Sequence, residues 1–506
     1  MSTAAITSRE MRALELNSEY LGVSTLQLME NAGGAVSQEV ASRFPPSARV
    51  SVYGGTGRNG GDGMVAARHL ACQGFHVLFQ LIGHEIDIKE QIVIQNWQTL
   101  KAMSSSIELK TVSDSSLVEP CESNVILDAI LGTGARGTLR PPILQAVKAV
   151  NDSKGFRLAV DVPSGLDSDT GKTLGDVVKA DLTITFHKMK AGFANVKEYL
   201  GEVKIVDIGI PPEAESYAGP GDVEITKKLR LPSSHKGDFG RLLVVGGSET
   251  YAGAPSYVAL AALRTGVDLA VIAAPEKIAY AISSFSPDLI TLKLTGDHLN
   301  PLNLPQIKSA LERSSAIVIG PGLGSHKETI NALEKLFDRI HELKKPALID
   351  ADAISVYGAS KIRFDTPLVL TPHPGEFEEL TGKKPRTELK EKIEDVKKAA
   401  VEKRATILLK GAVDVISDGN RVKLNFTGNP GMTVGGTGDV LAGIVGALIS
   451  QGFDPLEAST SGAFVNGAAG DIVRHEKGFH MVASDLIAHI PEVFEKPMIH
   501  KDFRIV

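Results

Sequence analysis

Cysteine is almost missing from this sequence: Cys72 and Cys121 are the only two in 506 residues. They make at most one disulfide and fit no zinc-ligand spacing, which excludes a disulfide-stapled scaffold and a cysteine-based zinc module. So sparse a use suits a reducing compartment, and two buried thiols are expected. No stretch reaches the ~18 consecutive apolar residues of a membrane span. The uncharged run 440–453 is short, carries glycines and reads as a buried helix. Residues 1–10 show no basic patch followed by an apolar stretch, so no secretory leader is read and a cytoplasmic location is expected. A basic excess is lacking as well: 54 Lys+Arg stand against 60 Asp+Glu, a net charge of −6. That balance opposes a nucleic-acid partner. The 13 histidines contain no H-E-x-x-H, and no G-x-S-x-G elbow is present.

With 43% hydrophobic and 23% charged residues, what remains is an ordinary globular composition, long enough for two large domains. Short apolar runs recur at strand length: 49–53 (RVSVY), 76–82 (HVLFQLI), 124–130 (NVILDAI), 156–162 (FRLAVDV), 182–186 (LTITF) and 202–208 (EVKIVDI). The apolar spacing of residues 11–36 predicts two amphipathic helices ahead of the first strand. Residues 210–225, rich in Pro, Gly and acids and without periodicity, mark a boundary near 220, giving domains 1–220 and 221–506. The second half repeats the grammar at 241–245, 269–273, 316–319, 347–350, 368–370, 406–409 and 413–417, without the same motif order. Two different α/β domains fused in one chain are expected, and 383–403 reads as a solvated amphipathic helix.

Glycines gather in short clusters directly after several of these strands. Residues 54–63 read GGTGRNGGDG and lead into a helical MVAARHLACQ. Glycines admit close backbone approach, and a helix N-terminus behind them favours an anion. Gly55, Gly57 and Gly60 satisfy G-x-G-x-x-G, and so do Gly132, Gly134 and Gly137. Asp62 inside the first loop argues against an ordinary dinucleotide fingerprint. Asp128 and Asp161 follow at strand ends, where ligands of open α/β sheets gather, and could converge with Asn59 and Ser164 on a hard cation, or merely cap the loops after them. In the second half the sharpest pattern is Gly435-Gly436-Thr437-Gly438-Asp439 opening VLAGIVGALIS. It would set backbone amides and a helix dipole at a phosphate, with Asp439 as a base or as a plain helix cap. His373 between two prolines orients a ligand or is structural.

These residues together resemble a known family. LMENAG (28–33), GRNGGDG (57–63), DAILGTG (128–134) and VDVPSGLDSDTG (160–171) resemble the NAD(P)H-hydrate epimerase domain. HKGDFGR (235–241), GPGLG (320–324), LTPHPGEF (370–377), LKGAVD (409–414) and GNPGMTVGGTGDVLAG (428–443) resemble the ribokinase-like NAD(P)H-hydrate dehydratase domain. The resemblance implies an N-terminal Rossmann-like three-layer α/β/α domain followed by a ribokinase-like α/β domain. It implies epimerisation of R- and S-NAD(P)HX and ADP-dependent dehydration of the S form, releasing AMP and phosphate, by a homo-oligomer.

Carried over by position, the hydrate would meet Arg58, Asn59, Gly60, Gly61, Asp62, Gly132, Thr133, Gly134, Ala135, Arg136, Gly137, Thr138 and Asp161 in the first domain. Asn59, Asp128 and Ser164 would surround K⁺, with Asp128 also in proton transfer. Family members usually read Asn-Asn-Gly-Gly-Asp there; Arg58 replaces the first Asn and could instead meet a phosphate. In the second domain the hydrate would meet Ala252, Gly322, His373 and Asp439. The nucleotide, with Mg²⁺, would meet Lys410, Gly411, Ala412, Val413, Asp414, Asn429, Gly435, Gly436, Thr437 and Gly438, and Asp439 would be the catalytic base. Rival readings are a vitamin-type kinase, since the G-T-G-D helix start is shared among ribokinase-like folds, and a non-catalytic interaction module.

Overall fold

Runs that are apolar along their whole length, such as AIVI (316–319), can be covered on both faces, which is the situation of a strand inside a parallel sheet. In the computed structural model, which describes residues 5–504, the chain divides between Pro211 and Pro212 into two units. The first holds a seven-stranded, all-parallel sheet built from β1 (Arg49–Gly54), β2 (His76–Ile82), β3 (Ile107–Val112), β4 (Glu122–Ala129), β5 (Lys154–Val160), β6 (Leu182–Phe186) and β7 (Glu202–Val206). Their order is β3-β2-β1-β4-β5-β6-β7. The order reverses between β1 and β4, which opens a crevice at the carboxyl ends of those two strands.

Two helices precede the sheet, α1 (Ser8–Tyr20) and α2 (Thr25–Arg43). Each starts with a capping box, Thr7 with Glu10 and Ser24 with Gln27, a device worth about 1 kcal/mol per cap. The LMENAG motif has a packing role: a Cβ on Gly33 would lie 2.5 Å from Val65, so glycine lets α2 approach the next helix, α3 (Arg58–Cys72). The segment expected as a loop from Arg58 to Asp62 is in fact the first turn of α3, with Gly57 as its N-cap. Gly60 sits there for lack of room, since a Cβ would fall 1.9 Å from the Gly55 carbonyl oxygen. Cys72, expected buried, is exposed at the last residue of α3, and Cys121 is half-buried.

The second unit carries a nine-stranded sheet of β8 (Arg241–Val245), β9 (Leu269–Pro275), β10 (Ile290–Leu294), β11 (Ala316–Ile319), β12 (Ala347–Ile349), β13 (Leu368–Leu370), β14 (Thr406–Leu409), β15 (Asp414–Ser417) and β16 (Val422–Asn425). The order is β10-β9-β8-β11-β12-β13-β14-β15-β16, parallel as far as β14 and antiparallel for the last two pairings. Its order reverses between β8 and β11. The helix Thr437–Ser450 is buried along nearly its whole length, as the run 440–453 suggested. Its glycines explain the fit: a Cβ on Gly443 would lie 2.3 Å from the Val258 carbonyl oxygen, and one on Gly446 would lie 2.4 Å from Val318 of β11.

The aperiodic stretch before the second sheet forms two short helices, Pro212–Ser216 and Pro220–Glu224. Ala218 between them donates its amide to the Leu424 carbonyl at 2.8 Å, which ties this segment to β16 and sets the division a few residues before 220. No helix among the described residues is long and apolar enough to cross a membrane. The reading of residues 1–10 falls partly outside the described residues.

Two glycine substitutions in the first unit separate packing from propensity. Alanine favours a helix by about 1 kcal/mol over glycine, yet Gly60→Ala is expected to lose about 1–3 kcal/mol or more because the clash is with backbone. Gly134→Ala, where a Cβ meets nothing within 4 Å, stays within about 0.5 kcal/mol. Denaturant unfolding of the two variants checks the contrast.

Candidate active sites at the carboxyl ends of the two sheets

In the first unit a cavity of about 770 Å³ opens at the crevice, a size suited to a small organic ligand. Its wall includes Arg58, Asn59 and Asp62 from α3, Gly132, Thr133, Gly134, Ala135 and Arg136 from the loop after β4, and Asp161 after β5. Nine of the expected site residues thus share one wall. Gly60 and Gly61 are instead buried in the α3 packing, and Gly137 and Thr138 do not line the cavity.

Asp161 adopts φ 63°, a left-handed conformation rare outside glycine that the surroundings must enforce. Its Oδ1 accepts from Lys190 Nζ at 2.9 Å, from the Phe186 amide at 3.2 Å and from Thr185 Oγ1 at 3.3 Å. Lys190 is fully buried and also donates to the Phe186 carbonyl at 2.9 Å, so a buried cation and a carboxylate compensate each other. Burial raises the Asp62 carboxyl well above the usual carboxylate range, and the negative charges of Asp161 and Glu15 add to it against the pull of Arg58. Glu15 is raised too, by burial first, with Arg58 opposing. Arg58 itself spans two carboxylates, Glu15 at 2.7 Å and Glu90 at 2.6 Å. Its guanidinium therefore has protein partners at the place where a phosphate was expected.

Asp128 lies elsewhere. It is fully buried, does not line the cavity, and accepts from Ser164 Oγ at 2.5 Å, the Ser164 amide at 2.7 Å and the Ile130 amide at 3.3 Å. Burial pushes its carboxyl up to about 6 against those three bonds. Asn59 is buried with its Nδ2 lacking any hydrogen-bond partner among the described residues, and its side chain lies 3.2 Å from where a Gly132 Cβ would be. Asn59, Asp128 and Ser164 offer oxygen donors only, the ligand chemistry of a hard cation.

In the second unit, Asp350 follows β12, Thr371 follows β13 and Lys410 follows β14. Lys410 Nζ bonds Asp350 Oδ1 at 3.1 Å and lies 3.8 Å from Glu376, while Thr371 Oγ1 donates to the same Asp350 oxygen at 2.7 Å. Burial works against the lysine's charge, but Asp350, Glu376 and Asp439 outweigh it and hold the ammonium above its ordinary range. Asp439, the third residue of the helix Thr437–Ser450, makes no capping hydrogen bond among the described residues, so the plain-cap reading fails. Burial, and then Asp350, push its carboxyl up to about 7, with Lys410 opposing and Asp352 and Glu376 adding. A carboxyl poised near neutrality beside helix-start amides that lack intrahelical acceptors is equipped for proton transfer at an anionic group.

Other expected residues turn out to shape the loops. Asp414 accepts from the Gly411 amide and Asn425 Nδ2, each at 2.9 Å, and closes the turn after Lys410. Asn429 donates to the Gly470 carbonyl and to Asp471, and caps Gly431. His373 caps the helix Pro374–Thr381 by accepting from the Gly375 and Glu376 amides, and its ring is largely exposed. Gly322, at φ 68°, packs against Tyr251 and Ala254, beside Ala252 at the start of the helix Gly253–Thr265. Sequence reasoning missed Glu15, Lys190, Asp350 and Asp352. Only Asp350 carried a signal, an acid directly after an apolar strand as at Asp161.

Comparison with known proteins then bears on both units. A family model described as YjeF-related protein N-terminus matches residues 25–192, and one described as NAD(P)H-hydrate dehydratase matches 242–492. A bifunctional NAD(P)H-hydrate repair enzyme of Pyrobaculum aerophilum is 48% identical over 499 residues, covering 97% of this chain and 98% of its own. That of Methanothermobacter thermautotrophicus is 42% identical over 492 residues, covering 96% and 94%. An ADP/ATP-dependent NAD(P)H-hydrate dehydratase from Bacillus subtilis, co-crystallised with ATP/Mg²⁺, is 28% identical with TM-score 0.49 and covers 56% of this chain and 98% of that one.

The electrostatic account of Asp439 is open to titration. Asp350→Asn removes a neighbouring negative charge and lowers the Asp439 pKa; Lys410→Met raises it further; carboxyl-carbon NMR against pH reads both. The raised value also has a stability sign. The folded chain holds this proton more tightly than the unfolded one, so the contribution is full below about 3.8 and is lost as pH rises towards about 7. Asp439→Asn is therefore expected to melt higher than the parent at pH 8, whereas a lower melting temperature would mean that the carboxylate has stabilising partners.

Proposed function

The chain belongs to the bifunctional NAD(P)H-hydrate repair enzymes, and we propose that its first unit epimerises the hydrates of NADH and NADPH while its second dehydrates the S form with ADP. The observation that carries this division is that each unit holds its own pair of carboxyl groups in unlike environments at the carboxyl end of its sheet. Unlike surroundings let chemically equal acids take different roles: base and acid for Asp161 and Asp62 in the first unit, metal holder and base for Asp350 and Asp439 in the second.

In the first unit proton transfer falls to Asp161 and Asp62, which line the cavity, in place of Asp128, which does not. Asp161 takes the proton of the C6 hydroxyl, the oxygen electrons close a C6=O bond as the C6–N1 bond breaks, and Asp62, held protonated, delivers its proton to the nitrogen. Reclosure on the other face with the roles reversed gives the opposite hydrate. K⁺ would be held by Asn59, Asp128 and Ser164; a half-turn of the buried Asn59 amide presents an oxygen in place of its unpartnered nitrogen. When bound, it supplies a fixed positive charge to anchor the ligand.

In the second unit Asp439 takes the C6 hydroxyl proton while that oxygen attacks the terminal phosphoryl group of ADP. Amides of Gly435, Gly436, Thr437 and Gly438 face the transferring group. AMP leaves, the ring-nitrogen lone pair expels phosphate from C6, and loss of a C5 proton restores the C5=C6 double bond. The surplus of carboxylates around Lys410 fits a Mg²⁺ accompanying the nucleotide, with Asp350, Asp352 and Glu376 as its holders. When bound, the ion neutralises charge on the phosphates.

Ultraviolet absorbance of the reduced nicotinamide tests the whole reading, with pure S-hydrate, Mg²⁺, K⁺ and either ADP or ATP, and then with R-hydrate. Asp439→Asn is expected to lower dehydration by about 10²–10⁴-fold with epimerisation retained, and Asp161→Asn to do the reverse. The dehydration rate should rise with pH through about 7 as Asp439 loses its proton. Stoichiometric release of a phosphorylated product in place of free phosphate would make the second unit a small-molecule kinase.

A further inference from the structure

Outside both candidate sites, two histidines and one glutamate meet at the surface of the second unit. His298 lies between β10 and the short helical turn Pro301–Asn303, and His326 is the N-cap of the helix Lys327–Glu342, whose second residue is Glu328. One ligand atom from each of His298, His326 and Glu328 lies within 4.8 Å of the other two. His298 Nε2 and Glu328 Oε2 are 2.7 Å apart, and the two imidazole rings lie close together, with centroids 3.8 Å apart and planes tilted by 38°. Residues 28 positions apart are held together by the backbone around them. Thr329, fully buried, donates its Oγ1 to the Leu299 carbonyl at 3.0 Å, which fixes the start of the helix against the segment that carries His298.

We propose that His298, His326 and Glu328 form a surface site for a borderline-soft divalent transition metal such as Zn²⁺. Two imidazoles and a carboxylate are the protein ligand set of zinc sites that keep a position for water, and they discriminate against Mg²⁺, which prefers oxygen alone. Metal entry replaces the His298–Glu328 hydrogen bond and exchanges the 3.3 Å bond from the Glu328 amide to His326 Nδ1 for a coordinate bond. His326 stands two residues after the glycine loop 320–324, so a bound ion would fasten the loop leaving β11 to the connection leaving β10. Asp297 beside His298 is engaged by Lys277 at 2.8 Å and stays outside the ligand set.

The test uses the full chain stripped with a chelator, titrated with Zn²⁺ by calorimetry and with Co²⁺ by visible absorption, with excess Mg²⁺ present throughout to occupy the carboxylates near Asp439. One saturable Zn²⁺ per chain is expected, with a ligand-field spectrum for Co²⁺ that indicates nitrogen ligation and a higher melting temperature on loading. His298→Gln keeps a donor for Glu328, and His326→Asn keeps an N-cap, so both variants retain the fold. Each should weaken Zn²⁺ by about tenfold or more and abolish the melting shift. Unchanged affinity in both variants, or no saturable binding by the parent chain, overturns the proposal.

Discussion

A lysine held by a strand-end aspartate organises each unit: the fully buried Lys190 on Asp161 at 2.9 Å in the first, the half-buried Lys410 on Asp350 at 3.1 Å in the second. Carboxyl groups taken out of water favour their neutral form, and a cation a few ångströms away decides how far that tendency goes for each of them. In both units the aspartate bonded to the lysine has its charge matched. A second carboxyl without that bond, Asp62 or Asp439, is driven upward by burial and by its acidic neighbours. Chemically equal groups thus meet unlike surroundings, and the proposed proton transfers depend on that arrangement.

The lysine pairs can exist only because the sheets bring distant strand ends together. Parallel strands whose order reverses once leave a crevice between β1 and β4 and another between β8 and β11. Glycine is what keeps the floor of each crevice narrow. A Cβ on Gly55 would fall 2.1 Å from the Ile130 carbonyl oxygen, and one on Gly246 would fall 2.6 Å from that of Pro321. These contacts are between protein backbones, so some glycines that resemble phosphate loops are there to let two loops touch. Asp161, and Ala351 between Asp350 and Asp352, hold positive φ of 63° and 48° beside these sites.

Much of this was legible along the chain. The central strands were read because burial on both faces demands unbroken apolar runs. Three of the four edge strands, β3 (IELKTV), β10 (ITLKL) and β16 (VKLN), are not legible, because an edge is partly wet and admits the lysines and glutamate that hide the pattern, whereas the fourth, β7 (EVKIV), is legible within the longer run 202–208. The helix start at Arg58 is hidden in the sequence, because glycine runs signal loops by propensity while here tight packing requires glycine inside the first turn. Residue type alone predicts a buried Cys72, and its place on the exposed end of α3 overrides that preference.

By itself the sequence determined the central strands, the two-part organisation, the family resemblance and nine of the residues that line the first cavity, because local patterning and short motifs survive without knowledge of the fold. Tertiary structure alone decided which acids share a cation, that Asp128 is sealed away while Asp62 faces the cavity wall, and that His298 meets His326. Those outcomes depend on burial and on distances between residues far apart in the chain, and electrostatic energies are set by such distances and by the exclusion of water, neither of which is written in local sequence.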